Sequence, residues 1–388
     1  MNELSPSREF PFYYRAHDAF RDEVRAVLAE QVLPAADGWE QRRRIGAEGW
    51  KALGAAGLLE LDHGGVEFLR SALLLEELGA TGYAGVRASV GVHAYMARSY
   101  LLQFGSAEQR AAWLPALHAG ERIAALAISE PQAGSDLADL RTTARPDGDG
   151  FRLTGRKAYV ANGTAAGLLV VLARLGDGAP AGPGPAAHGL AGAGLLLVDA
   201  ASPGITRRPQ PTAAWRSADV AEVSFADVPV PADALLGRPG RALVQLMRAL
   251  DFERLVAGLL AVGGVRHTLA VLDARVRARR VGGAPLDARQ AVRHRLADLH
   301  AEFDLVRRYA HHAAWLHGQG RLDVGTASVV KLRATELAAE AARACAQLHG
   351  AEGVSEGSVA ERLYRDAAAG TVAAGASELL RDLIAEVR

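Results

Sequence analysis

The stretch Leu126-Ala127-Ile128-Ser129-Glu130-Pro131-Gln132-Ala133-Gly134-Ser135-Asp136 decides how the rest of the chain is interpreted. It begins as a short apolar run typical of a strand. It breaks at Pro131, which fixes φ, lacks an amide hydrogen and disfavours helical geometry at the preceding residue. The small residues that follow expose backbone N–H groups and let a ligand approach the main chain closely. Taken alone, the stretch predicts only a strand that ends in a turn, so its meaning depends on other motifs.

Three further motifs follow it along the chain: Lys157-Ala158-Tyr159-Val160-Ala161-Asn162-Gly163, Gln347-Leu348-His349-Gly350-Ala351-Glu352-Gly353 and Ala374-Gly375-Ala376-Ser377-Glu378. With the first stretch they resemble, in the same order, the cofactor segments of the acyl-CoA dehydrogenases, whose signature is Ser/Thr-Glu-Pro-x-Ala-Gly-Ser-Asp. The resemblance covers most of the chain. It implies an enzyme that uses FAD to dehydrogenate an acyl thioester between its α and β carbons.

The reaction implied by this resemblance needs a base for the α-proton, and a carboxylate in a dry pocket suits that role. Many family members carry a glutamate directly before Gly-Thr-Ser in the last segment, but this chain has Ala374 there. Leu250-Asp251-Phe252-Glu253-Arg254-Leu255 instead resembles the Leu-Asp-Leu-Glu-Arg-Leu motif of the isovaleryl-CoA dehydrogenase branch. We therefore predict that Glu253 removes the α-proton while flavin N5 takes the β-hydride. From the helix alone, a salt bridge between Glu253 and Arg248 or another arginine is an equal alternative.

The resemblance also assigns ligand contacts to individual positions. The implied substrate contacts are Ser135, Asp251, Arg254 and Gly375. The implied FAD contacts are Leu126, Ser129, Gly134, Ser135, Tyr159, Val160, Ala161, Arg279, Gln290, Gln347, Gly350, Ala351, Ser377 and Glu378. In the family, the arginine at the position of Arg279 reaches the FAD of a neighbouring subunit, which implies a homodimer or a homotetramer. An ion pair that fixes the helix is the structural alternative for Asp251 and Arg254, and the two roles are compatible.

Two departures from the family pattern keep a second activity open. Ala161 replaces a threonine whose hydroxyl hydrogen-bonds flavin N5, and Ala374 replaces the commonest base. Both favour a flavin-dependent oxygenase or oxidase on the same fold as the alternative. The acyl group could be carried by CoA or, as in secondary metabolism, by a carrier protein. An electron-transferring flavoprotein or another protein would accept the electrons. A non-catalytic flavoprotein that binds nucleic acid is disfavoured, because the chain has zero net charge and no basic tail.

The hydrophobic pattern predicts an α+β fold that is mainly α. Residues 1–124 form a predicted N-terminal α-helical domain. Short strand-like runs separated by Gly, Pro and Asp predict a middle antiparallel β-barrel-like domain over residues 125–236. Apolar residues spaced by three and four predict a C-terminal four-helix bundle over residues 237–388. This order of helices, strands and helices agrees with the architecture that the resemblance implies.

Local signals predict details of these domains. Gly79 is a candidate C-cap, Ser106 with Gln109 resembles a capping box, and Pro115 should end or kink its helix. The Gly/Ala/Pro-rich run Leu175–Ala193 has little to bury and is predicted to be a mobile surface loop. The lone Cys345 lies on a helical pattern and is predicted to be a small buried residue.

Composition limits the compartment and the partners. The 44 basic and 44 acidic residues cancel, so no net charge attracts nucleic acid or an anionic membrane. The apolar run Leu255–Val265 is far shorter than the ~20 residues of a membrane helix, and the first residues lack a signal-peptide layout. The histidines near His311 lack the spacing of metal ligands. We therefore predict a cytoplasmic protein without a metal site.

Overall fold

A computed structural model of the chain describes residues 5–176, 190 and 192–387. The helices that precede the sheet are α1 (Pro6–Glu9), α2 (Arg15–Val27), α3 (Leu33–Arg42), α4 (Ala47–Ala55), α5 (Phe68–Ala80), α6 (Ala84–Val90), α7 (Arg98–Phe104) and α8 (Ala107–His118). Two π-helical segments, Leu28–Val32 and Gly91–Ala97, join α2 to α3 and α6 to α7. This part of the chain is helical, as its pattern predicts.

A curled sheet forms the middle of the chain, and helices follow it. The strands are β1 (Ala124–Ala127), β2 (Thr143–Asp147), β3 (Gly150–Val160), β4 (Leu168–Leu175), β5 (Ala193–Asp199), β6 (Ile205–Pro209) and β7 (Ala221–Pro231). The later elements are α9 (Ala242–Ala278), β8 (Arg280–Val281), β9 (Ala284–Pro285), α10 (Gln290–Gly318), α11 (Val324–His349), α12 (Val359–Gly370) and α13 (Ser377–Glu386). The predicted mainly α fold with a central sheet is confirmed, whereas the domain boundaries 1–124, 125–236 and 237–388 stay predictions.

The sheet is mixed rather than wholly antiparallel. Strands β1 and β2 both run parallel to β4, while the pairs β2–β3, β3–β7, β4–β5 and β6–β7 are antiparallel. Short strand patterns cannot distinguish the two arrangements, because direction depends on where the intervening chain crosses. Here residues 128–142 return the chain so that β2 starts beside the far end of β4. The signature turn lies within that connection.

Two of the local predictions fail for identifiable reasons. Gly79 lies inside α5, which continues to Ala80, and a Cβ on Gly79 would lie 2.2 Å from the carbonyl oxygen of Leu260. Glycine is therefore needed for the close crossing of α5 and α9, not for a cap. Pro115 does not end α8, which continues to His118, because the last turn is still closed where the amide of Ala119 donates to the carbonyl oxygen of Pro115 at 3.0 Å; the alternative, a kink at Pro115, stays a prediction.

Other predictions hold or fall outside the described residues. The capping box is confirmed, since the amide of Gln109 donates to Ser106 Oγ at 3.1 Å and that of Ser106 to Gln109 Oε1 at 2.9 Å. Cys345 is buried, and burial raises the pKa of its thiol to about 12. The predicted loop Leu175–Ala193 begins and ends in strands, and residues 177–189 and 191 lie outside the described part.

Helix α9 is the centre of the C-terminal domain. In the described part of the chain it is the one helix long and apolar enough to cross a membrane, yet 72% of its most apolar window is buried in the protein. It packs against α5 of the N-terminal domain and against α10 and α11 of its own domain. This burial identifies α9 as a core helix.

A buried ion network joins α5 to α9 and α10. Glu76 is fully buried, and its carboxylate accepts from Arg307 Nε at 2.7 Å, Arg266 Nη1 at 3.1 Å and His311 Nε2 at 2.7 Å. Burial alone would raise the pKa of Glu76, but the two guanidinium groups hold it well below its usual range. The network therefore fixes the N-terminal helices on the C-terminal bundle through a charged carboxylate.

We expect Glu76→Gln to lower the free energy of unfolding by about 3 kcal/mol, because the variant removes the carboxylate that Arg307 and Arg266 share and leaves them only Glu9 and Glu77 as counter-charges. Glu302→Gln is the matched control. Its partner Arg333 is half-exposed, so its loss should cost less than about 1 kcal/mol. Urea unfolding followed by circular dichroism measures both variants. Equal costs would contradict the importance assigned to the network.

Candidate active site

The signature turn is folded around the carboxylate of Glu130. One carboxylate oxygen accepts from Lys157 Nζ at 2.8 Å and from the amide of Thr142 at 2.9 Å, and the other accepts from the amide of Arg141 at 2.8 Å. Lys157 Nζ also donates to the carbonyl oxygen of Ile128 at 2.9 Å. The side chains of Glu130 and Lys157 are 2% and 0% exposed. A buried ion pair thus links the end of β1 to β3, and with them the first two sequence motifs.

The environment keeps this pair charged at neutral pH. Burial raises the pKa of Glu130, but the ammonium of Lys157 and the hydrogen bonds bring it down to about 2. Burial lowers the pKa of Lys157 to about 8, and the charge of Glu130 limits that fall. Because each charge compensates the other in a dry site, removal of either one would leave a buried charge without its partner.

The outer side of the turn presents groups that a flat cofactor can contact. A Cβ built on Gly134 would meet no atom within 4 Å, and Ser135 is exposed. The hydroxyls of Ser129 and Ser135 have no hydrogen-bond partner among the described residues. Tyr159 is 65% exposed and stands at a bulge of β3 with φ of 56°. Free hydroxyls, open backbone and an aromatic ring suit an isoalloxazine, so these residues fit FAD.

The residues beside Tyr159 differ in what they can offer a cofactor. The side chain of Val160 is 1% exposed and packs in the core of the sheet. Its contact with a flavin would therefore be made by the backbone. Ala161 is half-buried at the end of β3 and supplies no hydroxyl. Leu126 is half-buried and packs on the cluster that contains Tyr100.

Glu253 occupies a dry position on the first long helix of the C-terminal domain, α9. The residue is 5% exposed, and the hydroxyl of Tyr100 donates to its Oε1 at 2.8 Å. The alternative salt bridge to Arg248 is absent, since Tyr100 is the one hydrogen-bond partner of this carboxylate within the described ranges. Burial raises the pKa of Glu253, and the hydroxyl of Tyr100 and the charge of Arg254 offset part of that rise. A buried carboxylate without a salt bridge has the properties of a general base.

The predicted substrate residues on α9 form an ion pair. Arg254 Nη1 lies 2.9 Å from Asp251 Oδ1, so the structural alternative for these two residues is realised. The Nε of Arg254 is buried and has no hydrogen-bond partner among the residues that the structure describes. A Cβ built on Gly375 would lie 4.0 Å from this Nε. The ion pair therefore leaves one donor of Arg254 beside the last sequence motif.

That last motif is hydrogen-bonded by a buried residue that the sequence pattern does not identify. Lys331 on α11 is fully buried, and its Nζ donates to the carbonyl oxygen of Gly375. Ala374 and Gly375 both have positive φ, 55° and 103°. Burial, aided by the charge of Arg254, lowers the pKa of Lys331 to about 8. The vacant base position Ala374 thus lies in a tight turn fixed by a buried lysine.

One buried cluster links the helix of Glu253 to the strand that leads into the signature turn. Tyr100 and Ala249 belong to one buried cluster, on which Leu126 and Ile128 pack from the end of β1. Ala249 precedes Glu253 by one turn of α9. The amide of Ala158 donates to the carbonyl oxygen of Ser129 at 3.0 Å, which brings the second motif to the same place. Ser377 is buried at the start of α13, two residues beyond the fixed Gly375, and Glu378 beside it is exposed.

Five predicted FAD positions do not join this group within one chain. All five are exposed, and they lie at the opposite end of the helical bundle: Arg279, Gln290, Gln347, Gly350 and Ala351. Arg279 follows the last residue of α9, about 39 Å along the helix from Glu253. Arg275 ties this end together, because its Nη1 lies 2.9 Å from Glu352 Oε2 and its Nη2 donates to the carbonyl oxygen of His349 at 2.9 Å. The predicted contacts therefore form two separate groups.

Comparison with known proteins places this geometry in a family. Models of the acyl-CoA dehydrogenase N-terminal, middle and C-terminal domains match residues 15–121, 125–228 and 242–387. The mouse long-chain specific acyl-CoA dehydrogenase is 32% identical over 376 residues, which are 95% of this chain and 85% of that protein. The chain belongs to the acyl-CoA dehydrogenase family. Members of this family bind FAD, so the predictions of a flavoprotein oxidoreductase and of its cofactor are confirmed at the level of the family.

Solved structures agree with this assignment. An acyl-CoA dehydrogenase from Geobacillus kaustophilus is 32% identical, with a TM-score of 0.89 and coverage of 97% of this chain and 98% of that one. The prolyl acyl carrier protein oxidase AnaB is 27% identical, with a TM-score of 0.87 and coverage of 97% and 99%. The fold is thus shared by proteins described as a dehydrogenase and as an oxidase.

Sequence reasoning missed Tyr100, Glu130, Lys157 and Lys331 as parts of the site. A signal for the lysines was available, because the chain has three lysines and 41 arginines. Two of these three lysines are fully buried beside a motif, whereas Lys51 is exposed. In this arginine-rich chain, the two buried lysines lie where a compact charge with few donors is needed.

We expect Lys157→Met to weaken FAD binding at least about tenfold, because the unpaired Glu130 would draw water into the turn. Lys51→Met is the matched control and should bind FAD like the wild type. Fluorescence titration of the apoprotein with FAD gives the Kd, and circular dichroism reports whether the helices remain. An unchanged Kd for a folded Lys157→Met protein would contradict the role assigned to the ion pair.

Proposed function

We propose that the chain catalyses FAD-dependent α,β-dehydrogenation of an acyl thioester, with Glu253 as the base. The observation that carries this proposal is the buried carboxylate of Glu253, whose pKa is raised, on a helix that shares a buried cluster with Leu126 and Ile128 of the signature stretch. Its environment suits proton removal from carbon, since desolvation strengthens a carboxylate as a base. The paired motifs support the same assignment, because the other base position is Ala374 and cannot take a proton.

Each group of the site has a separate role in the proposed reaction. When bound, FAD supplies the acceptor at N5 for the hydride that leaves the β-carbon. Glu253 takes the α-proton. Ser135, Asp251, Arg254 and Gly375 contact the thioester, and the free Nε of Arg254 is a donor beside Gly375. Because Glu253 is buried, its carboxylate meets the thioester without a full shell of water, which strengthens it as a base.

The flavin contacts proposed within one chain come from the turn and from the motifs beside it. They are Leu126, Ser129, Gly134, Ser135, Tyr159, Val160, Ala161, Ser377 and Glu378. The exposed group around Arg279 lies too far away to serve the same flavin. We infer that it contacts the FAD of a partner subunit in a homodimer or homotetramer, where the Arg279 guanidinium suits a pyrophosphate.

The acyl group and its carrier are the finer part of the proposal. Similarity to the isovaleryl-CoA dehydrogenase branch at Glu253 favours a short or branched acyl chain on CoA. Similarity to AnaB, whose name describes a carrier-bound substrate, supports an acyl carrier protein as the alternative carrier. In either case we infer a cytoplasmic enzyme that passes its electrons to an electron-transferring flavoprotein or another acceptor.

A flavin-dependent oxidase is the second candidate function. AnaB is described as an oxidase, and Ala161 supplies no hydroxyl at the end of β3. Both candidates use Glu253 in the same way and differ in what reoxidises the flavin. The first half of the reaction therefore tests the shared chemistry, and oxygen consumption separates the two.

We expect short, branched or carrier-bound acyl thioesters to bleach the flavin absorbance of the anaerobic wild-type protein. Glu253→Gln should bind FAD but bleach at least about 10³-fold more slowly, because an amide cannot accept the proton; general bases contribute about 10²–10⁴-fold. Glu336→Gln, which removes a carboxylate from a surface ion pair with Arg381, is the matched control. Stopped-flow absorbance measures all three proteins.

Two outcomes would decide against parts of this proposal. Absence of bleaching with every class of thioester would contradict the dehydrogenation itself. Equal bleaching rates for Glu253→Gln and Glu336→Gln would move the base to another residue. After bleaching, rapid reoxidation by oxygen coupled to release of the unsaturated product would favour the oxidase.

A further inference from the structure

The hydroxyl of Tyr100 is the one hydrogen-bond donor that reaches Glu253 in the described part of the chain. Tyr100 lies on α7, directly after the π-helical segment Gly91–Ala97, and is fully buried. Its hydroxyl donates to Glu253 Oε1 at 2.8 Å across the contact between α7 and α9. The two groups are 153 residues apart in the sequence, so no local pattern predicts the contact.

The surroundings leave Tyr100 no alternative partner. Its ring packs in an apolar cluster with Leu101 and Leu246, and its centroid lies 6.2 Å from that of Phe104. Burial, together with the charge of Glu253, raises the pKa of Tyr100 well above its usual value. The phenol therefore stays protonated over the working pH range and acts only as a donor to the carboxylate.

Because the Tyr100 hydroxyl is the one donor, the two carboxylate oxygens of Glu253 differ in their hydrogen bonding among the described residues. Oε1 is occupied by the hydroxyl, and Oε2 has no hydrogen bond from any described residue. The bond also limits rotation of the glutamate side chain, which has several rotamers on a helix. A base must be held within hydrogen-bond reach of the proton it abstracts, and small displacements reduce the rate strongly.

We propose that Tyr100 is a positioning residue for Glu253. Its hydroxyl holds Oε1 of the glutamate and leaves Oε2 as the atom that takes the α-proton. This inference rests on the proposed function. It adds a residue from the N-terminal helical domain to the reaction, so that α7 and α9 must stay in contact for the base to be aimed. The tyrosine also favours the ionised carboxylate, because it hydrogen-bonds to that form.

The charged groups around Glu253 set the expected pH dependence. Arg254 on α9 favours the ionised carboxylate and is itself paired with Asp251. Lys331 from α11 donates to the carbonyl oxygen of Gly375, and its pKa is lowered in part by the charge of Arg254. Burial is the opposing effect, so loss of the Tyr100 hydroxyl removes one of two influences that hold the pKa of Glu253 down. The pKa should therefore rise in a variant without the hydroxyl.

We expect Tyr100→Phe to shift the acidic limb of the kcat/KM profile to higher pH by about one unit or more, a tenfold change in the ionisation constant. At the wild-type optimum kcat should fall about tenfold, with KM and FAD binding little changed. Tyr95→Phe is the matched control, because this buried ring stacks on His63 at 5.2 Å instead of reaching Glu253. Tyr100→Gln retains an N–H donor and should restore much of the wild-type profile.

A second readout is independent of turnover. Infrared difference spectra between wild type and Glu253→Gln identify the carboxyl band of Glu253, and its pH titration gives the pKa without substrate. The same titration in Tyr100→Phe should be displaced upward, and in Tyr95→Phe it should not. Identical titrations and pH profiles for the two tyrosine variants would overturn the role of Tyr100. If Glu253→Gln retained full turnover, the assignment of Glu253 as the base in the proposed function would fail instead, whatever the titration showed.

Discussion

The buried ion pair between Glu130 and Lys157 is the constraint on which the site depends. It joins the end of β1 to β3, two strands that are not neighbours in the sheet. The carboxylate also binds two amides of the returning chain, so one side chain shapes the whole turn. Because its charges are satisfied inside, the turn can expose free hydroxyls and open backbone outside, where we propose that the flavin binds.

Helix α9 carries Glu253, the proposed base, and shares a buried cluster with the strand that leads into that turn. Its glycine crossing with α5 lets the two helices approach at backbone distance, and the Glu76 network fixes the same pair of helices by charge. A helix held on several sides can keep Glu253 dry and Arg254 paired at fixed positions. The opposite end of the same helix carries Arg279 to a different surface. One helix thus carries Glu253 near its start and Arg279 at its end, in two separate places. This arrangement agrees with the proposal that two subunits share each flavin.

The sequence predicted the fold class, and the placement of Glu253 on a long helix, because both depend on local patterns and ordered motifs. It could not predict the parallel pairing of β1 and β2 with β4, since strand direction depends on the path of the connection. Gly79 was assigned to a cap because a glycine near a helix end has that role more often than a crossing role. Tyr100 and Lys331 were missed because their partners are distant in sequence, and only packing brings them to Glu253 and Gly375.

The central claim is that Glu253 removes a proton from the α-carbon of a thioester. Exchange of the α-hydrogens of a saturated acyl thioester with D₂O, followed by NMR while the flavin is held reduced, measures this step without hydride transfer. The account predicts exchange in the wild-type protein and in Glu336→Gln, and its loss in Glu253→Gln. Exchange at the wild-type rate in a folded, FAD-bound Glu253→Gln protein would contradict the account.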